Sequence, residues 1–224
     1  MMQADIILDE IKEPVALWCG ADVDATDLAN ATSVALARGI DIISVAPDGV
    51  RVVWPWIENA HKEILGRFYV NRADEGSVSE LSANINSVFK SGADGAQVFV
   101  KVSELGKLVS QLYSIRDDLF FNKRLYVGLD IGEIGPFDWD DVFLALRKIR
   151  ANGLILVLAR DAGDKSDFVG RLYAGLCAWN APDACVHFVV GGAKRIEEAN
   201  RLVQSVCPKL APDARFFVNI LGTR

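Results

Sequence analysis

Short apolar stretches recur along the chain roughly every 25 to 30 residues, and amphipathic segments lie between them. The apolar stretches are rich in β-branched and aromatic residues, a composition that favours strands. We predict eight strands, at residues 15–19, 41–45, 68–70, 96–101, 125–130, 154–159, 186–190 and 216–220. Most of these stretches are apolar throughout, which is typical of a parallel sheet covered on both faces.

The segments between the strands carry apolar residues three or four positions apart, which is the spacing of one face of an α-helix. We predict helices at residues 27–37, 78–90, 103–119, 138–151, 165–179 and 196–206. Asp24 or Thr26 would cap the first helix, and Ser77 with Glu80 would form a capping box for the second. Gly39 and Gly92 would end these two helices.

The segment between the second and third strands has a different pattern. Residues 47–49, Pro-Asp-Gly, form a turn signal, and residues 50–54 have the apolar composition of a strand. This pattern predicts a hairpin, followed by a helix that begins near Pro55.

Eight alternations of strand and helix predict a (β/α)₈ barrel, the TIM-barrel fold, with residues 1–224 as a single domain. Residues 5–13 are predicted to form an extra N-terminal helix, and no eighth outer helix is expected after residue 220. The groove between the eighth and first strands would then expose apolar surface. We therefore expect a homo-oligomer that buries this surface.

The composition narrows the choice of partners and location. The net charge is -6 and the sequence has no run of lysine or arginine, which argues against a nucleic-acid partner. No apolar stretch approaches the roughly 20 residues of a membrane helix, and the N-terminus lacks a signal-peptide pattern, so we expect a cytoplasmic protein without a membrane partner. The four cysteines form no CxxC pair, so neither a zinc site nor a disulfide framework is indicated.

The active site of a TIM barrel lies at the carboxyl ends of its strands, so polar residues just after each strand are the candidates. Lys101, Asp22 and Asp130 are the candidate catalytic residues on this basis. No such role is expected for charged residues at the opposite strand ends, among which the predicted strand boundaries place Arg67, Arg124 and Arg215.

Lys101 is the amine expected at the end of a strand inside the mouth of the barrel. Burial between Val100 and Val102 would lower its pKa, and Lys101 is therefore a candidate base or electrophile. An ion pair with Asp130 or Glu133 would instead give it a structural role.

A candidate phosphate site follows the seventh strand. Gly191 and Gly192 separate this strand from a helix, and glycines let the backbone approach an anion at a helix start. Lys194 adds positive charge, and Gly222 follows the eighth strand at the matching place. A tight turn with a solvated basic pair is the alternative interpretation.

The motifs of this C-terminal part resemble those of deoxyribose-phosphate aldolase and its relatives. Residues 190–195, Val-Gly-Gly-Ala-Lys-Arg, are similar to that family's Ser-Gly-Gly-Ile-Arg, and residues 197–199 and 221–223 are similar to its Glu-Asp-Ala and Gly-Thr-Ser. Weaker likenesses lie at residues 24–26, 45–47 and 92–94. The resemblance implies a TIM barrel that acts on a phosphorylated sugar.

The same resemblance implies a Schiff-base lysine on strand six and a second lysine on strand seven. Residues 154–159 and 187–190 contain no lysine. A Schiff base requires an amine that is neutral near pH 7, and the guanidinium of Arg160 cannot replace it. Class I aldolase chemistry is therefore not expected in its usual form.

Two functional hypotheses remain open at this point. The first is a phosphosugar or phospho-keto-acid lyase or isomerase that acts at the mouth of the barrel on a small phosphorylated metabolite. The second is a non-catalytic barrel that serves as a ligand-binding or interaction subunit. No cofactor and no metal ligand are assigned, although mouth carboxylates could hold Mg²⁺ and the phosphate loops could hold a flavin phosphate.

Overall fold

A computed structural model describes residues 15–20, 22–70, 75–119, 122–158, 168–190 and 193–219. Eight parallel strands pair in chain order and form a closed barrel, because β8 also pairs with β1. The strands are β1 (Val15–Trp18), β2 (Ile42–Val45), β3 (Glu63–Val70), β4 (Gly95–Val100), β5 (Arg124–Asp130), β6 (Gly153–Val157), β7 (Cys185–Val190) and β8 (Arg215–Asn219). The predicted (β/α)₈ barrel is confirmed.

Seven α-helices lie in the described part of the chain and alternate with the strands. They are α1 (Ala25–Ala37), α2 (Val50–Ile57), α3 (Glu75–Lys90), α4 (Val102–Asp118), α5 (Trp139–Ile149), α6 (Phe168–Cys177) and α7 (Ala193–Val206). None of these helices is long and apolar enough to cross a membrane. The predicted N-terminal helix at residues 5–13 and residues 220–224 lie outside the described residues.

Three of the predicted helix-end signals are confirmed and one is wrong. The Asp24 side chain caps α1, since its Oδ1 accepts a hydrogen bond from the Asp27 N–H at 2.9 Å. Gly39 and Gly92 follow α1 and α3 with φ angles of 72° and 109°, which favour glycine. The capping box is wrong, because α3 begins at Glu75 and Ser77 is its third residue.

The predicted hairpin between β2 and β3 is also wrong. Residues Pro47–Gly49 form a 3₁₀ helix that leads directly into α2. Val50, Val53 and Ile57 are spaced for one helical face and are fully buried, so packing of this face outweighs the β-branched composition of the segment. β3 begins at Glu63, five residues earlier than predicted, and therefore contains Arg67.

The barrel interior is filled by side chains that alternate along the strands. They form one apolar cluster of Ala16, Trp18, Ile42, Leu65, Phe99, Tyr126, Ile155 and Phe217. The residues between them face outward and pack against the helices in a second, larger cluster. The barrel is therefore a packed core, as expected for this architecture.

The groove between β8 and β1 does not expose the apolar surface that we predicted. Leu17 of β1 and Phe216 and Val218 of β8 are 0%, 0% and 4% exposed. The expected reason for oligomerisation is therefore absent at this groove.

His187 of β7 lies inside the barrel between Tyr126 and Phe217, with ring centroids 5.3 and 5.9 Å away. Only 3% of the residue is exposed. Burial lowers the pKa of His187 to about 3, and the positive charge of Arg215 acts in the same direction. His187 is therefore neutral at physiological pH.

We expect Gly128→Ala to destabilise the barrel. A Cβ at this β5 position would lie 2.2 Å from Cδ1 of Phe99, so the interior must rearrange at a cost of about 1–3 kcal/mol in the free energy of unfolding. Gly106→Ala, at a site in α4 where no atom lies within 4 Å of the added Cβ, is the matched control and should be neutral or stabilising. Urea denaturation measures the free energy of unfolding of both variants. Equal destabilisation by the two substitutions would contradict the packing of Gly128 against Phe99.

We expect the buried His187 to make the protein less stable as the pH falls. The unfolded imidazole takes up a proton below about pH 6.5 and the folded one only near pH 3, so unfolding binds a proton throughout this range. The free energy of unfolding should decrease as the pH falls from 6.5 towards 3, and this group should contribute no pH dependence above that range.

Denaturation of the parent protein and of His187→Leu at about pH 7, 5.5 and 4.5 tests this expectation. The carboxylates titrate in both proteins, so the difference between the two profiles reports on His187. The variant should have the shallower profile. Parallel profiles would show that His187 does not cause the pH dependence of the free energy of unfolding.

Candidate functional site

A buried cation lies at the carboxyl end of the barrel. Arg67 of β3 is 3% exposed, and its guanidinium carbon lies 3.8 Å from the ring centroid of Trp18 on β1. The guanidinium donates hydrogen bonds to the carbonyl oxygen of Cys19 and, at 3.5 Å, to the hydroxyl of Ser44. Since Cys19 directly follows β1, this charge lies inside the mouth, where TIM barrels bind their ligands.

Ser44 of β2 and Gln97 of β4 extend this polar cluster into the barrel. Both are fully buried, and the Ser44 hydroxyl donates to Oε1 of Gln97 at 2.6 Å. Arg67 donates to Ser44 Oγ, so the Ser44 hydroxyl proton is free to point at Gln97. The Gln97 atom that accepts this proton must be the amide oxygen, and the second terminal atom of the side chain is therefore the nitrogen, Nε2. Among the described residues Nε2 of Gln97 has no hydrogen-bond partner. A buried unpaired donor is costly, so it marks a place for a ligand acceptor or a water.

Aromatic side chains form one wall of the mouth. Trp18 contacts Phe99 edge to face at 5.5 Å, and Phe99 stacks against Tyr69 at 5.2 Å. Tyr69 is 54% exposed, so this wall runs from the interior to the solvent-facing rim. A ligand with a short apolar body fits against such a wall.

The inward positions of β6 and β7 are apolar at the level of the mouth. Val157 and Val189 are paired across these strands, and both pack against the interior cluster. Neither strand contains a lysine, so neither supplies an amine for a Schiff base.

The thiol of Cys19, whose carbonyl oxygen accepts from Arg67, points into the outer core. Burial raises the pKa of Cys19 to about 12, although the charge of Arg67 acts against this shift. The thiolate is the nucleophilic form, so Cys19 is not a candidate nucleophile.

Lys101 and Asp22 follow the carboxyl ends of β4 and β1, Asp130 is the last residue of β5, and all three are exposed. The burial expected for Lys101 is therefore not found. Its side chain lines a groove of about 980 Å³ between α4 and α5, outside the barrel. In the described part of the chain, no hydrogen bond or ion pair joins these three residues.

The neighbouring carboxylates have local structural partners. Glu133 caps α4 from the next loop, because its Oε2 accepts a hydrogen bond from the Val102 N–H at 3.1 Å. Asp130 Oδ1 accepts from the Gly132 N–H at 2.8 Å. Neither carboxylate forms an ion pair with Lys101, which was one of the two alternatives for this lysine. Within the described ranges, no group of three imidazole, thiol or carboxylate side chains could hold a metal ion.

The predicted phosphate site falls largely outside the described residues. This applies to Gly191, Gly192 and Gly222, and to the side chain of Lys194, which is the second residue of α7. α7 begins at Ala193, directly after the glycine pair, so the predicted order of strand, glycines and helix is found. Phosphate binding itself stays a prediction.

Arg67 and Gln97 were missed as site residues. The late predicted start of strand three placed Arg67 at the amino end, although Leu65, Arg67 and Tyr69 alternate as inward positions of a strand do. Gln97 lay within a predicted strand, where a single amide between apolar residues was the available signal.

No protein-family model matches the sequence, and no curated protein matches it significantly. The fold is similar to a Toxoplasma gondii protein assigned as a deoxyribose-phosphate aldolase, with a TM-score of 0.73, 14% identity, and coverage of 98% of this chain and 94% of that one. The deoxyribose phosphate aldolase of Aeropyrum pernix, described as having a unique tetrameric structure, has a TM-score of 0.66 at 11% identity, with 95% and 91% of the two chains covered.

A Coccidioides immitis protein assigned to the dihydrodipicolinate synthase family has a TM-score of 0.59 at 11% identity, and 93% of this chain and 67% of that one are covered. Identities this low show a shared fold. The resemblance to deoxyribose-phosphate aldolases is thus confirmed at the level of the barrel.

Proposed function

We propose that this chain is a lyase or isomerase that binds a small phosphorylated sugar or keto acid at the mouth of the barrel. The proposal depends mainly on one observation, the buried guanidinium of Arg67 beside the unpaired Gln97 Nε2. Two donors of this kind suit a carbonyl or carboxylate oxygen, and they favour an oxyanion still more. The similarity in fold to aldolases supports the same class of reaction.

The chemistry would pass through an enolate rather than a Schiff base. In an isomerisation, a base removes the proton from the carbon next to the carbonyl, and the electron pair of that bond forms the enolate, whose oxygen accepts from Arg67 and Gln97. In a cleavage, the base removes a hydroxyl proton, and the breaking carbon–carbon bond supplies the same enolate. Asp22, which follows β1, and Asp130, which ends β5, are the proposed sources of the base, because both strands end at the mouth. Lys101, the third residue predicted from the sequence, lines the groove outside the barrel and is not assigned this role.

The phosphate of the ligand would bind at Gly191, Gly192, Lys194 and Gly222. The start of α7 directly after the glycine pair supports this assignment, because free N–H groups at a helix start attract anions.

A non-catalytic ligand-binding barrel is the second candidate. Val157 and Val189 favour it, because they leave β6 and β7 without a reactive inward side chain at the level of the mouth. If the protein binds a phosphosugar and converts it to a product, this non-catalytic candidate is excluded.

We expect phosphorylated sugars or keto acids of three to six carbons to raise the melting temperature of the protein more than inorganic phosphate does. Arg67→Met should weaken binding of such a ligand by about tenfold or more, because a buried charge-assisted contact is lost. Arg201→Met, on the exposed face of α7, is the matched control and should bind normally.

Gln97→Leu provides a second test if Arg67→Met fails to fold. The same ligands should lose affinity in this variant, because the unpaired amide donor is removed. Unchanged affinity in either folded variant would overturn the assignment of this site.

We also propose that the protein is a homo-oligomer. The Aeropyrum pernix aldolase is tetrameric, and α6 of this chain exposes Val169 and Tyr173 one helical turn apart, at 43% and 53%. Light scattering at micromolar concentration should give a mass of at least twice 24.5 kDa. A monodisperse monomer would overturn this proposal.

A further inference from the structure

A second polar pocket of about 380 Å³ lies at the opposite end of the barrel from the mouth. Its lining includes Glu63, Arg124, Cys185 and Arg215, which are the first residues of β3, β5, β7 and β8. His187 lines it from inside the barrel. The pocket is therefore an open floor below the packed interior, separate from the proposed active site.

The two arginines of this pocket have different surroundings. Arg124 forms an ion pair with Glu63 at 3.0 Å and donates a hydrogen bond to the same carboxylate at 3.1 Å. Half-buried Arg215 donates from Nη1 to the carbonyl oxygens of Pro212 and Ala214, at 3.0 and 2.9 Å. Among the described residues no carboxylate lies within ion-pair distance of Arg215. Its positive charge is held in place but is not neutralised by contact.

His187 is the register partner of Arg215 across β7 and β8, and it carries an unpaired polar atom. Its Nε2 lies 3.4 Å from Sγ of Cys185, whereas Nδ1 is buried without a hydrogen-bond partner in the described part of the protein. The charge of Arg215 reaches this imidazole, since it is the second largest cause, after burial, of the lowered pKa of His187. A neutral imidazole can donate from one nitrogen to an anion that also contacts Arg215.

The carboxylates at the rim do not satisfy this charge. Asp41 is 64% exposed and is paired with Lys62, and Asp213 is exposed to solvent. Glu63, the third carboxylate of the lining, is paired with Arg124. Charges in solvent are strongly screened, so the two exposed carboxylates neutralise the half-buried guanidinium of Arg215 only weakly.

We propose that this pocket is a second binding site, which takes a small oxyanion such as a carboxylate or phosphate group between Arg215 and His187. The site does not depend on the proposed activity at the mouth. Its ligand would contact the interior through His187, which packs against Tyr126 and Phe217.

The imidazole signals of the protein provide a direct test. The chain has two histidines, His61 and His187, and both line this pocket. Inorganic phosphate is titrated at constant pH near 7 and constant ionic strength, and the two imidazoles are followed by NMR, with His61→Gln assigning the signals. We expect a saturable shift of the His187 signal.

Arg215→Met should weaken the apparent affinity of this response by about tenfold or more, because the charge-assisted contact is lost. Arg201→Met, whose charge is outside the pocket, should retain the affinity within about twofold. If Arg215→Met does not fold, Arg215→Gln removes the charge but keeps donors for the two carbonyl groups, and the same loss is expected.

Arg67→Met separates this site from the mouth. It should leave the His187 response intact even if binding of phosphosugars is lost, so the two proposals can fail independently. The proposal is overturned if the His187 signal of the parent protein does not shift saturably, or if the folded Arg215 variants give the parental affinity.

Discussion

Closure of the eight-stranded sheet is the constraint on which the rest of this structure depends. β1 and β8 pair along residues 15–18 and 216–219, so every strand has two neighbours and no sheet edge remains. Closure also divides the side chains of every strand into an inward and an outward set. The inward set must fill a narrow cylinder, and here it does so largely with aromatic rings.

These rings separate the polar groups of the interior into two regions. Tyr126, His187, Phe217 and Trp18 lie in successive contact, with ring centroids 5.3 to 6.0 Å apart. Arg67 lies over the ring of Trp18 at the mouth, whereas Arg215 lies at the floor. A charged group would be costly in the apolar middle, so both guanidinium groups lie towards the ends.

The barrel resembles those of aldolases, but its reactive groups have to be assigned residue by residue, since one fold supports many reactions. The resemblance implies amines on β6 and β7. At the mouth, however, the inward residues of these two strands are Val157 and Val189. The polar groups at the mouth belong instead to β2, β3 and β4. Any chemistry at this mouth is therefore organised around the opposite side of the barrel from the expected Schiff base.

The order of strands and helices and the missing lysines were determined by the sequence itself, because periodicity and residue identity are local properties. The tertiary structure decided the rest. Val50, Val53 and Ile57 form a helix because their common face is buried, although the segment has a strand-like composition. Lys101 lies beside a groove between two helices instead of being buried in the mouth.

Arg67 is the clearest example of a side chain whose location could not be predicted from the local sequence. Glu63, Gly66 and Arg67 interrupt the apolar pattern, so the first half of β3 did not look like a strand. Its inward orientation follows from the register of β3 with β2 and β4 in the closed sheet. Such pairing joins residues far apart along the chain, and no local pattern around Arg67 specifies it.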